Sequence, residues 1–98
     1  MAWIFEVQDV SGRGIHLSKE RWSHINLEHP ELSPYLEELK ETLTNPTKIT
    51  SYNINENIKY FYKYIKERKS PAKYLLIIVK YLNAHGFIIT VYFVKHIK

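Results

Sequence analysis

Hydrophobic and polar residues alternate near the N-terminus and again over residues 58–66, and they follow a helical period in between. The alternation over residues 3–8 and over Ile15-His16-Leu17 predicts two short strands, with Ser11-Gly12-Arg13-Gly14 as the turn between them. The chain is therefore expected to begin with a pair of strands within residues 1–17.

Two helices are predicted over residues 19–44. Ser18 is a suitable N-cap for the first helix, because a serine oxygen accepts a hydrogen bond from a free backbone N–H of the first turn. Ser33 is expected to cap the second helix and Pro34 to take its first position, where the missing N–H of proline is not needed. The stop signals are the pairs His29-Pro30 and Asn45-Pro46.

The rest of the chain, residues 47–96, predicts an antiparallel meander. Its four strands are expected at residues 47–52, 58–66, 73–81 and 87–96. The last two strands are apolar on both faces and should therefore be central in the sheet. We expect one α+β domain over residues 1–98, in which the N-terminal strands and both helices pack on one face of a mainly antiparallel sheet of four to six strands. The other face is left open for a binding cleft.

Composition excludes several classes of protein. The chain has 98 residues, enough for one small core, and it contains no cysteine, so disulfides and thiolate metal sites are ruled out. Its longest apolar runs are too short to cross a bilayer, and its N-terminus lacks the features of a signal peptide. These observations favour a cytoplasmic protein with no membrane partner.

Charges are unevenly distributed along the chain. The formal net charge is +4, but acids outnumber bases between Glu20 and Glu41, whereas Glu67 is the only acid after Lys59. A basic half can form a continuous field over phosphates, which favours a nucleic-acid partner. A lysine-rich, solvated sheet edge would give the same excess of basic residues.

The stretch of residues 21–32 carries the densest group of reactive side chains. If it is helical, Arg21, His24 and Glu28 align on one face, and a cation beside an imidazole and a carboxylate can bind phosphate and move a proton. A solvated helix face would show the same pattern. The five histidines lack the spacing of a metal site, so neither a metal nor a cofactor is expected.

The predicted strands add a second set of polar side chains. Thr90 and Tyr92 share one face of an apolar strand and need hydrogen-bond partners, and Lys80 ends a neighbouring apolar strand. In the strand 58–66, tyrosines and lysines interleave like a surface that stacks bases beside phosphates. Packing within the sheet is the alternative explanation for both sets. The candidate RNA contacts in that strand are Lys59, Tyr62 and Lys63.

The order of several short motifs resembles that of one nuclease family. The helical motifs are Trp22-Ser23-His24-Ile25, His29-Pro30-Glu31-Leu32 and Thr42-Leu43 before Asn45-Pro46. The strand motifs are Tyr60-Phe61-Tyr62, residues 74–80 and residues 86–92. Together they resemble small nucleases of the barnase–EndoU–colicin–RelE superfamily, in its phage and polymorphic-toxin branch.

The resemblance implies a metal-independent endoribonuclease with a barnase-like or RelE-like fold. In that superfamily the RNA 2′-hydroxyl attacks the adjacent phosphate. The resemblance implies His24 as general acid or base, with His29 in reserve, since a free imidazole has a pKa of about 6.5. The residues that it implies for holding phosphate or ribose are Arg21, Lys80, Thr90 and Tyr92.

Three functions remain open at this point. The first is a toxin-like ribonuclease with RNA as substrate and an antitoxin or immunity protein as partner, for which His24, Lys80 and Thr90 should converge on one cleft. The second is a non-catalytic RNA-binding module on the same basic sheet. The third is a protein-interaction domain that uses the acidic helical hairpin. The sequence does not indicate an oligomeric state.

Overall fold

The structure, a computed structural model, describes residues 3–51 and 54–98. Within this part of the chain the elements follow each other as two strands, two α-helices joined by a 3₁₀ helix, and four strands. They are β1 (Trp3–Gln8), β2 (Gly14–Ser18), α1 (Lys19–Glu28), the 3₁₀ helix (Pro30–Tyr35), α2 (Leu36–Thr44), β3 (Lys48–Ser51), β4 (Ile58–Tyr64), β5 (Tyr74–Leu82) and β6 (His85–Val94). The predicted end of the third strand at Tyr52 lies outside the described residues.

The described strands form one sheet in the order β1-β2-β6-β5-β4-β3. Strands β2 and β6 are parallel, and the other neighbours are antiparallel. The prediction of an α+β fold with a mainly antiparallel sheet is confirmed, and β5 and β6 are central as expected. Among the described residues, no helix is long and apolar enough to cross a membrane.

The first helix has the predicted limits, whereas the second does not. The Ser18 side chain accepts a hydrogen bond from the backbone N–H of Arg21, and α1 ends at Glu28. The predicted start of the second helix at Ser33-Pro34 is wrong, because these residues lie inside the 3₁₀ helix and α2 begins at Leu36. The tighter 3₁₀ turn buries Leu32 completely in the core, which accounts for its departure from the α-helical path.

The helices cover one face of the sheet with their apolar side chains. Ile25 from α1, Leu32 from the 3₁₀ helix, and Leu39 and Leu43 from α2 are buried together with strand residues in one cluster. The strand residues and the nearby loop residue of this cluster are Phe5, Ile15, Leu17, Phe61, Ile65, Leu75, Ile77, Val79, Tyr81, Ile88 and Val91. Because side chains alternate along a strand, the residues between them point to the opposite side, hereafter the open face.

Strand β6 changes its alternation through a β-bulge. Ile78 pairs with Thr90, but its neighbour Val79 pairs with Ile88, so Ile89 is an extra residue in β6. Regular alternation along the strand would place Phe87 and Val91 on one face and Ile88 and Thr90 on the other, and this expectation is wrong for the first part of the strand. Ile88 joins the core, and Phe87 shares the open face with Thr90 and Tyr92.

The turn before β6 is shorter than predicted. Leu82 pairs with His85, so two residues, Asn83 and Ala84, connect β5 to β6. Asn83 adopts the left-handed conformation that such short loops require, with a φ of 61°. As a result His85, which the sequence suggested to be part of the turn, is the first residue of β6.

Candidate active site

Polar and aromatic side chains form a row across the open face. Glu6 on β1 is paired with His16 on β2, His16 with Phe87 on β6, and Phe87 with Lys80 on β5. Neighbouring strands lie about 4.8 Å apart, so the backbones of His16 and Lys80 are roughly 10 Å apart. A carboxylate, an imidazole and an ammonium group therefore share one face within the span of a dinucleotide-sized ligand.

Two histidines and a glutamate meet at one end of this row. The Nε2 atom of His16 lies 3.1 Å from Nδ1 of His85. On its other side, Nδ1 of His16 lies 3.7 Å from Oε2 of Glu6. The His16 side chain is only 8% exposed, and its Nδ1 atom is buried with no hydrogen-bond partner among the described residues. A buried imidazole between a carboxylate and a second, exposed imidazole can transmit the electrostatic effect of the carboxylate to the exposed imidazole.

Gly14 leaves open the space that these three groups surround. It is the first residue of β2 and pairs with His85. A Cβ atom at this position would lie 3.4 Å from Oε2 of Glu6, 3.7 Å from Nδ1 of His85 and 3.8 Å from Nε2 of His16. A side chain larger than a methyl group would therefore enter the Glu6–His16–His85 cluster.

The groups around each ring nitrogen favour one arrangement of the protons. A neutral imidazole has one N–H and one lone pair. A carboxylate 3.7 Å away, as Glu6 is, favours the tautomer with the proton on Nδ1 of His16, and in that tautomer Nε2 of His16 accepts a hydrogen bond from the Nδ1–H of His85. The lone pair of His85 is then on Nε2, directed away from His16. Since His85 is exposed, this nitrogen is available to take a proton from a ligand.

Aromatic rings hold His16 in place. The ring centroid of Trp3 lies 4.7 Å from that of His16, and the ring of Phe87 is stacked at 5.3 Å with an angle of 28°. Phe87 itself is 36% exposed. The packing fixes the orientation of His16 toward both of its polar neighbours.

A hydrogen-bonded turn fixes the position of Gly14. The buried carboxylate of Asp9 accepts hydrogen bonds from the Tyr81 hydroxyl, the Ser11 hydroxyl and the backbone N–H groups of Ser11 and Arg13. Burial alone would raise the pKa of Asp9, but these hydrogen bonds outweigh burial and lower it. Burial, followed by the hydrogen bond to Asp9, raises the pKa of Tyr81. The network joins the β1–β2 turn to β5 and so keeps Gly14 beside β6.

Several of the predicted site residues lie on the open face. Thr90 pairs with Ile78, and Tyr92 pairs with Leu76, so both are on the same face as Lys80. The His29 ring stacks on Tyr92 with centroids 5.7 Å apart.

Tyr62 is on the same face but differs from these residues in its burial. It pairs with Leu76 and is only 1% exposed. In this conformation its ring has no free side on which a base could stack.

The other predicted residues lie elsewhere. Arg21 and His24 are exposed on α1 and line a depression of about 420 Å³ together with Ser18 and Glu20. His24 is about 100° around the helix from the buried Ile25. None of the described residues of β5 or β6 lines this depression, so the structure does not bring His24 together with Lys80 and Thr90 as expected.

The lysines of β4 occupy the helix-covered side of the sheet. Lys63 donates a hydrogen bond from Nζ to the backbone oxygen of Asn45, at the end of α2, over 2.8 Å. Lys59 donates from Nζ to the Ser51 hydroxyl over 2.9 Å. Because Lys59 and Lys63 alternate with Tyr62, they do not form a phosphate track beside it.

Sequence reasoning missed Glu6, His16 and His85 as candidate functional residues. They come together because β2 and β6 are parallel neighbours, a pairing between segments 69 residues apart that no local pattern indicates. The available signal was a histidine between two buried apolar residues, Ile15 and Leu17. A polar side chain there needed a partner on the far face of the strand.

Comparison with known proteins gave one match. A family model described as phage-Barnase-EndoU-ColicinE5/D-RelE like nuclease2 matches residues 5–96, a range that includes the whole Glu6–His16–His85 cluster. Searches of curated proteins and of solved structures found no significant match. Within the described residues, no group of three or more histidine, aspartate or glutamate side chains is arranged to hold a metal ion.

Proposed function

This chain belongs to the phage-Barnase-EndoU-ColicinE5/D-RelE like nuclease2 family, and from that premise we propose that it is an endoribonuclease that cleaves RNA by attack of its 2′-hydroxyl, without a metal ion. The observation that carries this proposal is the contact of His16 with His85, backed by Glu6. It supplies an oriented proton acceptor on an open sheet face, which is what activation of a 2′-hydroxyl needs.

The proposed step begins with proton transfer to His85. Its Nε2 atom takes the proton of the 2′-hydroxyl while the 2′ oxygen bonds to the adjacent phosphorus. The bond from phosphorus to the 5′ oxygen then breaks, and the leaving oxygen takes a proton from water. The products are a 2′,3′-cyclic phosphate and a free 5′-hydroxyl, and His85 returns its proton to solvent.

His16 and Glu6 stabilise the charge that His85 acquires. When His85 becomes an imidazolium, its Nδ1–H continues to donate to Nε2 of His16, and that bond becomes charge-assisted. The Glu6 carboxylate, 3.7 Å from the other nitrogen of His16, favours the tautomer that accepts. His85 is thus the catalytic residue, and His16 and Glu6 are positioning residues.

Cations and hydroxyl groups on the same face complete the proposed site. Lys80 is exposed, directly opposite Phe87, where its ammonium group can stabilise the extra negative charge of the phosphorane. Thr90, on the same face of β6, can donate a hydrogen bond from its hydroxyl to a phosphate or ribose oxygen.

A single set of variants distinguishes the proposed assignment, centred on His85, from the one centred on His24. Wild-type protein, His85→Ala, His24→Ala and His96→Ala are incubated with total tRNA and a mixed RNA pool in EDTA, and the fragment ends are analysed. We expect 2′,3′-cyclic phosphate ends, a loss of at least about 100-fold in His85→Ala, and wild-type rates in the other two. His96 is another exposed imidazole and is the matched control.

Other outcomes would contradict parts of the proposal. Loss of cleavage in His24→Ala, with His85→Ala active, would return the catalytic centre to α1. RNA that stays intact but binds in a salt-sensitive way would indicate an RNA-binding module. A toxin role, with a protein inhibitor that covers the open face around His85, is part of the proposal and rests on the family alone.

A further inference from the structure

Phe87 presents an aromatic ring to solvent next to the Glu6–His16–His85 cluster. It is 36% exposed, and it lies on the open face two residues after His85. Single exposed apolar residues are common in soluble proteins and need no function. The surroundings of Phe87 distinguish it from the other exposed apolar residues.

The ring of Phe87 is held rigidly from one side. His16 stacks on it with centroids 5.3 Å apart, and Trp3 lies 6.4 Å away. The three rings form a continuous aromatic group on neighbouring strands. A ring that is already ordered loses little conformational entropy when a ligand stacks on it.

The side of Phe87 that faces away from His16 adjoins a cation. Lys80 is the direct cross-strand partner of Phe87 and is exposed. Side chains of directly paired residues have Cβ atoms about 5 Å apart, so a ligand that lies on the ring is within reach of the ammonium group. An aromatic ring beside an ammonium group matches the two parts of a nucleotide, its base and its phosphate.

The β-bulge at Ile89 is what places Phe87 in this position. With regular alternation Phe87 would share a face with the buried Val91, and Ile88 would face the ligand. The bulge instead puts Phe87, together with His85, on the same face as Thr90 and Tyr92. Bulges next to functional sites commonly redirect one side chain in this way.

We infer that Phe87 is a stacking platform for an unpaired nucleobase, with Lys80 on the phosphate of the same nucleotide. This deepens the proposed function, on which it rests, by naming the substrate as single-stranded or looped RNA. A base inside a duplex is stacked on its neighbours and cannot lie on the ring. Purines should bind better than pyrimidines, because they offer a larger stacking surface.

The experiment measures binding without cleavage. Fluorescence anisotropy follows labelled hexamers of deoxyadenosine and of thymidine, which lack the 2′-hydroxyl, and a DNA duplex of the same length. The variants are Phe87→Leu, which keeps an apolar side chain but removes the aromatic face, and Phe87→Trp, which enlarges it. The control is Leu27→Ala, since Leu27 is 79% exposed on α1, away from the open face.

We expect Phe87→Leu to weaken binding of the deoxyadenosine hexamer by about 5- to 30-fold, while Phe87→Trp and Leu27→Ala bind like the wild type or better. The thymidine hexamer and the duplex should bind more weakly to the wild type. Equal binding of Phe87→Leu and wild type, or equal binding of duplex and single strands, would overturn the inference.

The result distinguishes a failure of the stacking platform from a failure of the catalytic proposal. If wild-type protein binds single strands through Phe87 but cuts no RNA, the platform stands and the nuclease mechanism fails. If RNA is cut and Phe87→Leu binds as the wild type does, the mechanism stands and the platform fails.

Discussion

The Nε2 atom of His16 lies 3.1 Å from the Nδ1 atom of His85, although 69 positions of the chain separate the two residues. The contact depends on the parallel pairing of β2 with β6, which sets Gly14 opposite His85 and His16 opposite Phe87. The proposed site is therefore a product of the sheet order. Substitutions that alter it without unfolding the sheet are the most informative ones.

Gly14 is expected to tolerate a methyl group but not a larger side chain. A Cβ atom there would be in ordinary contact with the cluster, 3.4 Å or more from its polar atoms. The γ carbons of Gly14→Val would extend into the space between Glu6 and His85. We predict that Gly14→Ala keeps RNA cleavage within about threefold, whereas Gly14→Val reduces it by more than tenfold.

Thermal unfolding of both Gly14 variants is the control. Valine favours β-strands, so the melting temperature of Gly14→Val should stay close to that of the wild type. Equal activity of the two variants would show that the space at Gly14 has no role in the reaction.

Glu6→Gln is expected to slow the reaction while preserving the fold. The amide can present its NH₂ group to Nδ1 of His16 and so favour the wrong tautomer, in which His16 no longer accepts from His85. We predict a fall in kcat of about 10- to 100-fold, with little change in KM, because the group acts through the proton acceptor and not on the bound RNA. Glu20→Gln, an exposed glutamate on α1, is the matched control. A change confined to KM would assign Glu6 to substrate binding.

Asp9 is expected to contribute to stability in a pH-dependent way. Because its hydrogen bonds lower its pKa in the folded state below the ordinary value of 3.8, the unfolded chain binds the proton first as the pH falls. The contribution is therefore present above pH 3.8 and is lost as the pH falls through the folded-state pKa.

Urea unfolding at several values between about pH 5 and pH 2 checks this expectation. Asp9→Asn should be less stable than the wild type at pH 5, and the gap should narrow toward pH 2. Glu67→Gln removes an exposed carboxylate and should leave the wild-type profile unchanged. Parallel profiles for Asp9→Asn and wild type would mean that ionised Asp9 does not stabilise the folded state.

Leu32 is expected to be essential for the connection between the helices. Its side chain is fully buried, so Leu32→Ala should lower the free energy of unfolding by about 2–5 kcal/mol. Leu27→Ala, which changes an exposed leucine on α1, should lower it by no more than about 0.5 kcal/mol. Chemical denaturation of the two variants measures the difference, and equal values would mean that the 3₁₀ helix does not anchor the hairpin.

The sequence was sufficient for the elements whose signals are local. Alternation and continuous apolar runs located the strands, and the Ser18 cap and the proline at position 30 defined α1. The 3₁₀ helix was missed because Ser33-Pro34 is an equally good start for an α-helix, and only the burial of Leu32 decides between them.

The candidate site was harder to predict because its residues meet through long-range pairing. Lys80, Thr90 and Tyr92 were assigned to the correct strands and share the open face, and their functional roles remain proposals. Glu6, His16 and His85 depend on which strands are neighbours, and local periodicity carries no information about that order. The bulge in β6 was hidden for a different reason, since its residues are apolar on both sides of the shift.

The number of residues in β6 decides which of its side chains lie on the proposed binding surface. A regular strand that kept Ile89 would turn Phe87 and His85 toward the helices and Ile88 toward solvent, whereas removal of Ile89 would give a regular strand with the faces that the bulge now provides. An alignment gap of one position at this point in a relative would therefore be compatible with the same face, whereas a strand of equal length without the bulge would present a different one, even where all the surrounding residues are the same.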